Sequence, residues 1–190
     1  IFNGEIYNYI EVREKLEGIG YKFLTGSDSE VLIVAYQVWG TKCLDVLEGM
    51  WAFAILDRVR NHLFISRDRF GEKPLLYTEH NGTLYFASEA KALRSLTGIP
   101  LKPNLARVRR YLVNGFRSLY KSDDTFFDDV YEFPGACYAL ITCSNDMEPI
   151  TYWHPELRPE PMTMEDAIEG TKQRLQHALE IRLRSDVPIA

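Results

Sequence analysis

Residues 50–56 form an almost unbroken apolar run, and residues 63–65 answer it after a polar turn around Asn61. Strands of this kind are covered on both faces, which predicts layers above and below one sheet, with Trp51 and Phe53 buried. A second pair, 75–77 and 83–87, is joined by His80-Asn81-Gly82, and residues 136–142 and 150–153 read as closing strands. Elsewhere the period becomes helical. Asn8 and Glu11 have capping-box spacing ahead of Val12, Leu16 and Ile19, with Gly18 and Gly20 as stops. A short strand is expected over 21–24. Ser27 and Glu30 then repeat the capping spacing before a stripe of Val31, Leu32, Ala35, Tyr36 and Trp39, ended by Gly40. Two more helices are expected, one from Ser88 burying Leu93 and Leu96, the other over 105–113. Thr163 and Asp166 open a long helix whose buried face would be Ile168, Thr171, Leu175, Ala178 and Leu179. Helices and hairpins are mixed without strict alternation, so the fold class is α+β rather than a doubly wound sheet.

Composition narrows the function. With 190 residues, 46% hydrophobic, the chain can bury a sizeable core. A net charge of −5 argues against a nucleic-acid surface, and the dense basic cluster of Arg107, Arg109 and Arg110 reads as a solvated helix face. Cys43, Cys137 and Cys143 have no metal-ligand spacing and read as buried thiols, which suits a reducing cytoplasm. The four histidines are scattered, and no metal site is expected. No apolar run approaches the ~20 residues that span a bilayer, so no membrane partner is expected.

Candidate chemistry lies at the start of the chain. Ile1-Phe2-Asn3-Gly4-Glu5-Ile6-Tyr7-Asn8 ends an apolar strand on Asn-Gly and delivers a carboxylate before a helix. Asn-Gly is also the commonest tight-turn dipeptide. An asparagine NH2 and a glycine N–H pointing one way can instead serve a developing oxyanion. The octet resembles the segment that follows the catalytic centre of class II glutamine amidotransferases, above all that of glutamine-hydrolysing asparagine synthetases. Three further stretches carry the same resemblance in the same order: Thr25-Gly26-Ser27-Asp28, the loop from Arg67 to Leu75 (Arg-Asp-Arg-Phe-Gly-Glu-Lys-Pro-Leu), and Ser88-Glu89-Ala90-Lys91-Ala92-Leu93. The departures are Leu76, where a tyrosine is usual, and Glu72 before the lysine; neither touches the pocket residues.

The resemblance implies a four-layer α-β-β-α sandwich of the N-terminal-nucleophile type, incomplete at its start. It implies that Asn3 and Gly4 form the oxyanion hole, that Glu5 lies beside the glutamine substrate, and that Asp28 accepts a hydrogen bond from its α-ammonium. For Asp28 a plainer reading also exists, since the macrodipole favours an acid in the first turn of a helix. Loop 67–75 is expected to be a tight turn held by an Arg–carboxylate pair, shaping a pocket wall without performing chemistry.

By the same resemblance, residues 1–153 are a glutaminase domain lacking its first strands, 154–162 a Pro-rich linker, and 163–190 the first helix and strand of an ATP-dependent synthetase domain. Both ends read as cut, with the nucleophilic cysteine expected upstream of Ile1. The implied reaction hydrolyses glutamine and passes ammonia to aspartate activated as β-aspartyl-AMP, with ATP and Mg²⁺ in the absent domain; there is room for a homodimer. Two alternatives stand beside it: an amidotransferase using another acceptor from a polysaccharide or secondary-metabolite pathway, and a non-catalytic scaffold domain. Residues 1–190 alone are expected to be inactive. Incubation of the purified chain with glutamine should release no glutamate, and turnover that survives thorough purification would point to a different nucleophile.

Overall fold

The computed structural model describes residues 1–116, 122–142 and 147–184. Cys143 and the strand expected over 185–190 lie outside them. In chain order the elements begin β1 (Phe2–Ile6), α1 (Tyr9–Gly18), α2 (Asp28–Trp39) and α3 (Cys43–Val46). The sheets follow as β2 (Gly49–Asp57), β3 (His62–Arg67), β4 (Leu76–His80) and β5 (Thr83–Ala87). After them come α4 (Ala90–Thr97), α5 (Leu105–Asn114), β6 (Tyr131–Glu132), β7 (Cys137–Ile141), β8 (Ile150–Thr151) and α6 (Met164–Arg182). The chain forms two compact units. The first comprises residues 1–5 and 50–153, the second 6–49 and 154–190.

The first unit contains a five-stranded sheet in the order β1-β2-β3-β7-β8 and a three-stranded sheet in the order β5-β4-β6. β2 and β3 are antiparallel, with Ile55 opposite Phe64 and Ala54 opposite Ile65, as the apolar runs predict. Asn61 supplies the left-handed residue of their turn, and Asn81 with Gly82 does the same between β4 and β5. Side-chain alternation sorts the faces of the larger sheet. Ala52, Ala54, Ile65, Ala139 and Ile141 pack with Leu75, Phe133, Tyr77 and Phe86 from the smaller sheet and its approaches, forming the interlayer core. The opposite face is aromatic. Trp51, Phe53 and Phe64 are fully buried there, and Trp51 hydrogen-bonds Ser66 Oγ at 3.2 Å.

The 67–75 loop is built differently from the expected Arg–carboxylate turn. Asp68, fully buried, accepts four backbone N–H groups: Phe70 and Glu72 on Oδ1 at 3.0 Å, Lys73 and Trp51 on Oδ2 at 3.1 Å. Arg67 caps carbonyls instead, donating to Lys73, Phe133 and Gly71 at 2.7 Å, and its ion-pair partner is Glu132 at 2.8 Å. Gly71 has φ 64°, and a Cβ there would lie 3.1 Å from the Arg67 guanidinium carbon, so glycine is favoured both by the left-handed backbone and by the tight approach of Arg67.

In the second unit α1 buries Val12 and Leu16, and α2 buries Val31, Leu32, Ala35 and Tyr36. Cys43 is buried too, and desolvation pushes its thiol up to about 12. At the start of α6, Thr163 accepts from the Asp166 N–H, as expected.

Several expectations are corrected. Residues 21–24 are not a strand; the Tyr21 N–H returns to the Leu16 carbonyl. Asn8 does not cap α1, because its side chain spans Val46 O and Glu48 N, each at 2.9 Å. Ser27 does cap α2, but Glu30 turns to the Leu24 and Thr25 N–H groups. Ile19 and Leu96 are exposed because each falls at the end of its helix. Arg107 is buried, its guanidinium directed to the Ser122 hydroxyl at 3.5 Å, whereas Arg109 and Arg110 are solvated. On α6, Ile168, Leu175 and Leu179 are about 60% exposed, and Ile181 is buried instead. The amphipathic period identifies an apolar face but does not supply a layer to cover it.

Removing the Asp68 carboxylate would leave four backbone donors without their acceptor in a dry site. Asp68→Ala should therefore cost at least about 3 kcal/mol of unfolding free energy, measured by urea denaturation. A loss below about 1 kcal/mol would show that water replaces the carboxylate.

Candidate functional site

Asn3 and Gly4 stand in β1, whose start is anchored by reciprocal bonds between Ile1 and Ala54 at 2.9 Å. Asn3 Nδ2 donates to Ser88 Oγ at 3.1 Å. That bond orients the amide and uses one of its two hydrogens, leaving the second available to an oxyanion. Ser88 was legible as part of the Ser-Glu-Ala-Lys-Ala-Leu signature and as the expected start of a helix, which begins instead at Ala90; its role as the partner of Asn3 was missed. Gly4 has a steric reason to be glycine. A Cβ at this position would overlap the Met50 carbonyl oxygen and lie 2.8 Å from Trp51 Cα, because β1 passes close against β2. Glu5, next in line, is exposed.

Asp28 is the first residue of α2, behind the Ser27 cap, and belongs to the second unit; Asn3, Gly4 and Glu5 belong to the first. Its Oδ2 accepts the Ile6 N–H at 3.0 Å, and Ser29 Oγ donates to Oδ1 at 3.4 Å. The carboxylate thus sits at the positive end of a helix with one oxygen held by backbone and the other only loosely engaged. Such a group can still accept from an ammonium. Ile6 gave no sequence signal of this contact, since its bonding group is the main chain.

A separate cavity of about 620 Å³ in the first unit lies between the β4–β5 hairpin, the second half of α4 and the turn at 128–131. None of Asn3, Gly4, Glu5 or Asp28 lines it. Among the described residues no group of three or more His, Cys, Asp or Glu is placed to hold a metal ion. No described helix is long and apolar enough to cross a membrane.

The family profile described as "Glutamine amidotransferase domain" matches residues 1–153. The chain belongs to this family. It is 33% identical over 189 residues to the glutamine-hydrolysing asparagine synthetase 3 of Bacillus subtilis, covering all of this chain and 30% of that protein. It is 34% identical over 194 residues to the amidase chry2 of Gibberella zeae, covering all of this chain and 28% of that protein. The chain thus spans about 30% of the length of these curated relatives. Among solved structures it is similar to the glutamine phosphoribosylpyrophosphate amidotransferase of B. subtilis, with TM-score 0.58, 20% identity, and coverage of 82% of this chain and 29% of that one. That likeness establishes the fold as the expected α+β type of the N-terminal-nucleophile amidotransferases.

In this amidotransferase domain the glycine at position 4 is enforced by packing as much as by any role of its N–H. Gly4→Ala should force β1 away from β2 and lower stability by about 2–3 kcal/mol, read from chemical denaturation. A variant as stable as the parent would mean that β1 shifts freely and that its packing against β2 does not hold Asn3 and Gly4 in place.

Proposed function

We propose that the chain is the glutamine-hydrolysing part of a longer amidotransferase, whose reaction hydrolyses glutamine and uses the ammonia to convert ATP-activated aspartate into asparagine. The observation that carries the glutamine half is an asparagine amide, oriented by Ser88 with one N–H to spare, next to a glycine, in a chain of this family. In this reading Asn3 and the Gly4 N–H stabilise the oxyanion formed when a thiolate attacks the glutamine amide. Asp28 accepts from the α-ammonium, and Glu5 lies beside the substrate. The thiolate belongs to a cysteine that is not among these 190 residues. The donors act on charge that develops in the transition state, so Asn3 contributes chiefly to turnover. Asp28 is remote from the reacting amide and contributes chiefly to binding.

Aspartate as acceptor is supported by the similarity to asparagine synthetases over the whole chain. ATP and Mg²⁺ belong, in this reading, to synthetase sequence outside these residues. A second reading keeps the glutamine half and changes the acceptor. It is kept because a relative at the same level of identity, 34%, is named an amidase and not an asparagine synthetase.

Steady-state kinetics on the full-length polypeptide test this reading. Asp28→Ala should raise the glutamine KM about tenfold or more and leave kcat within about twofold. Asn3→Ala should lower glutamine turnover about 100-fold to 1000-fold. Both should retain asparagine formation from ammonia, aspartate and ATP. Equal losses with glutamine and ammonia would refute the assignment, and ammonia-dependent turnover without asparagine would favour the second reading.

A further inference from the structure

The three residues after Glu5 are held by main-chain contacts from several parts of the second unit. The Ile6 N–H goes to Asp28 and the Tyr7 N–H to the Glu48 carbonyl at 2.8 Å. The Asn8 side chain spans Val46 and Glu48. The Tyr7 carbonyl takes its bond from a residue 177 positions later: Arg184 Nη1 donates to it at 2.9 Å. Arg184 stands just past the end of α6, and its guanidinium also grips the Glu11 carboxylate through both oxygens, at 2.7 and 2.6 Å. Arg182 lies over the Tyr7 ring, 5.0 Å from its centroid.

A partly exposed ion pair of this kind adds little to global stability. What a bidentate fork does well is fix orientation, and here the fork has a third acceptor in the main chain. With its N–H on Glu48 and its C=O on Arg184, the Tyr7 backbone is held at both ends. That fixes the direction in which the preceding Ile6 N–H meets Asp28. Glu11 keeps the guanidinium in place, and its own carboxyl is held below the ordinary carboxylate value chiefly by the Arg184 hydrogen bonds.

We propose that Arg184 is a positioning residue for the Asp28 carboxylate, acting through the Tyr7 and Ile6 backbone, with Glu11 as the buttress of its guanidinium. The inference rests on the reading of Asp28 as the acceptor of the glutamine α-ammonium. Without Arg184 the Tyr7 carbonyl loses the guanidinium bond, the Ile6 N–H slackens, and the carboxylate is free to rotate away from the ammonium. Binding of glutamine weakens while the chemistry at the amide carbon is untouched.

The test is glutamate release by the full-length polypeptide, with melting temperature measured alongside. Arg184→Ala should raise the glutamine KM about threefold to tenfold, the equivalent of one hydrogen bond, with kcat within about twofold. Glu11→Ala should move KM the same way, and the double variant should be no worse than Arg184→Ala, because the two residues act as one unit. Arg184→Lys keeps the charge but loses the fork, and should recover only part of the binding. A residue that merely stabilised the fold would lower the melting temperature and kcat while leaving KM alone; that result, or an unchanged KM, overturns the proposal. Asp28→Ala run in parallel separates the two levels. If it raises KM while Arg184→Ala does not, the positioning role alone fails; if Asp28→Ala leaves KM unchanged, the glutamine reading fails and takes this inference with it.

Discussion

The buried carboxylate of Asp68 is the constraint on which the first unit depends. A dry anion is tolerable only when its lone pairs are filled, and four main-chain N–H groups fill them. Three belong to the loop that follows and one to Trp51 in the neighbouring strand. The same residue's main chain bonds Trp51 O, Gly71 N and Ala136 N. One residue, through its side chain and main chain together, therefore fixes a loop, the end of β3 and the register of β2. Arg67 completes the arrangement from the other polarity, collecting three carbonyls and Glu132. The signature Arg-Asp…Gly…Lys-Pro-Leu is accordingly a set of structural roles: an acceptor, a donor, and a left-handed glycine where the guanidinium passes closely.

The candidate chemistry draws on that rigidity. β1 carries Asn3 and Gly4, and its approach to Met50 and Trp51 is close enough to exclude any side chain at position 4. Trp51 is held by Asp68, so the strand against which Gly4 packs is itself fixed. Asn3 takes its orientation from Ser88, at the entrance to α4. A donor aimed at a transition state gains from being placed in advance, since it then reorganises little during reaction.

Asp28 is placed by different means. The Ser27 cap and the helix dipole put an acid at the start of α2, and the Ile6 main chain gives it a direction. The segment that supplies this direction is in turn held by Asn8, Glu48 and Arg184. Asn8 had the spacing of a helix cap but bridges two main-chain groups of another segment, a use that satisfies its donor and acceptor together.

Much of this was legible from residue order. The apolar runs of β2 and β3 showed their pairing and their double-sided burial, and the left-handed turns were marked by Asn61 and by Asn81-Gly82. The caps at Ser27 and Thr163 were visible because a hydroxyl and the N–H groups it serves are neighbours in sequence. The family resemblance pointed to Asn3, Gly4, Glu5 and Asp28. Tertiary structure decided every bond between distant residues: Asn3 with Ser88, Asp28 with Ile6, Glu11 with Arg184, and the preference of Asp68 for main-chain donors over Arg67. It also decided which apolar faces are covered. Ile168, Leu175 and Leu179 share a helical face with the period of a buried stripe, yet they remain exposed while Val12 and Leu16 are fully enclosed. Periodicity is a property of one segment, written in its own residues. Burial and long-range hydrogen bonding are properties of pairs of segments, and depend on which surfaces the rest of the fold brings against them.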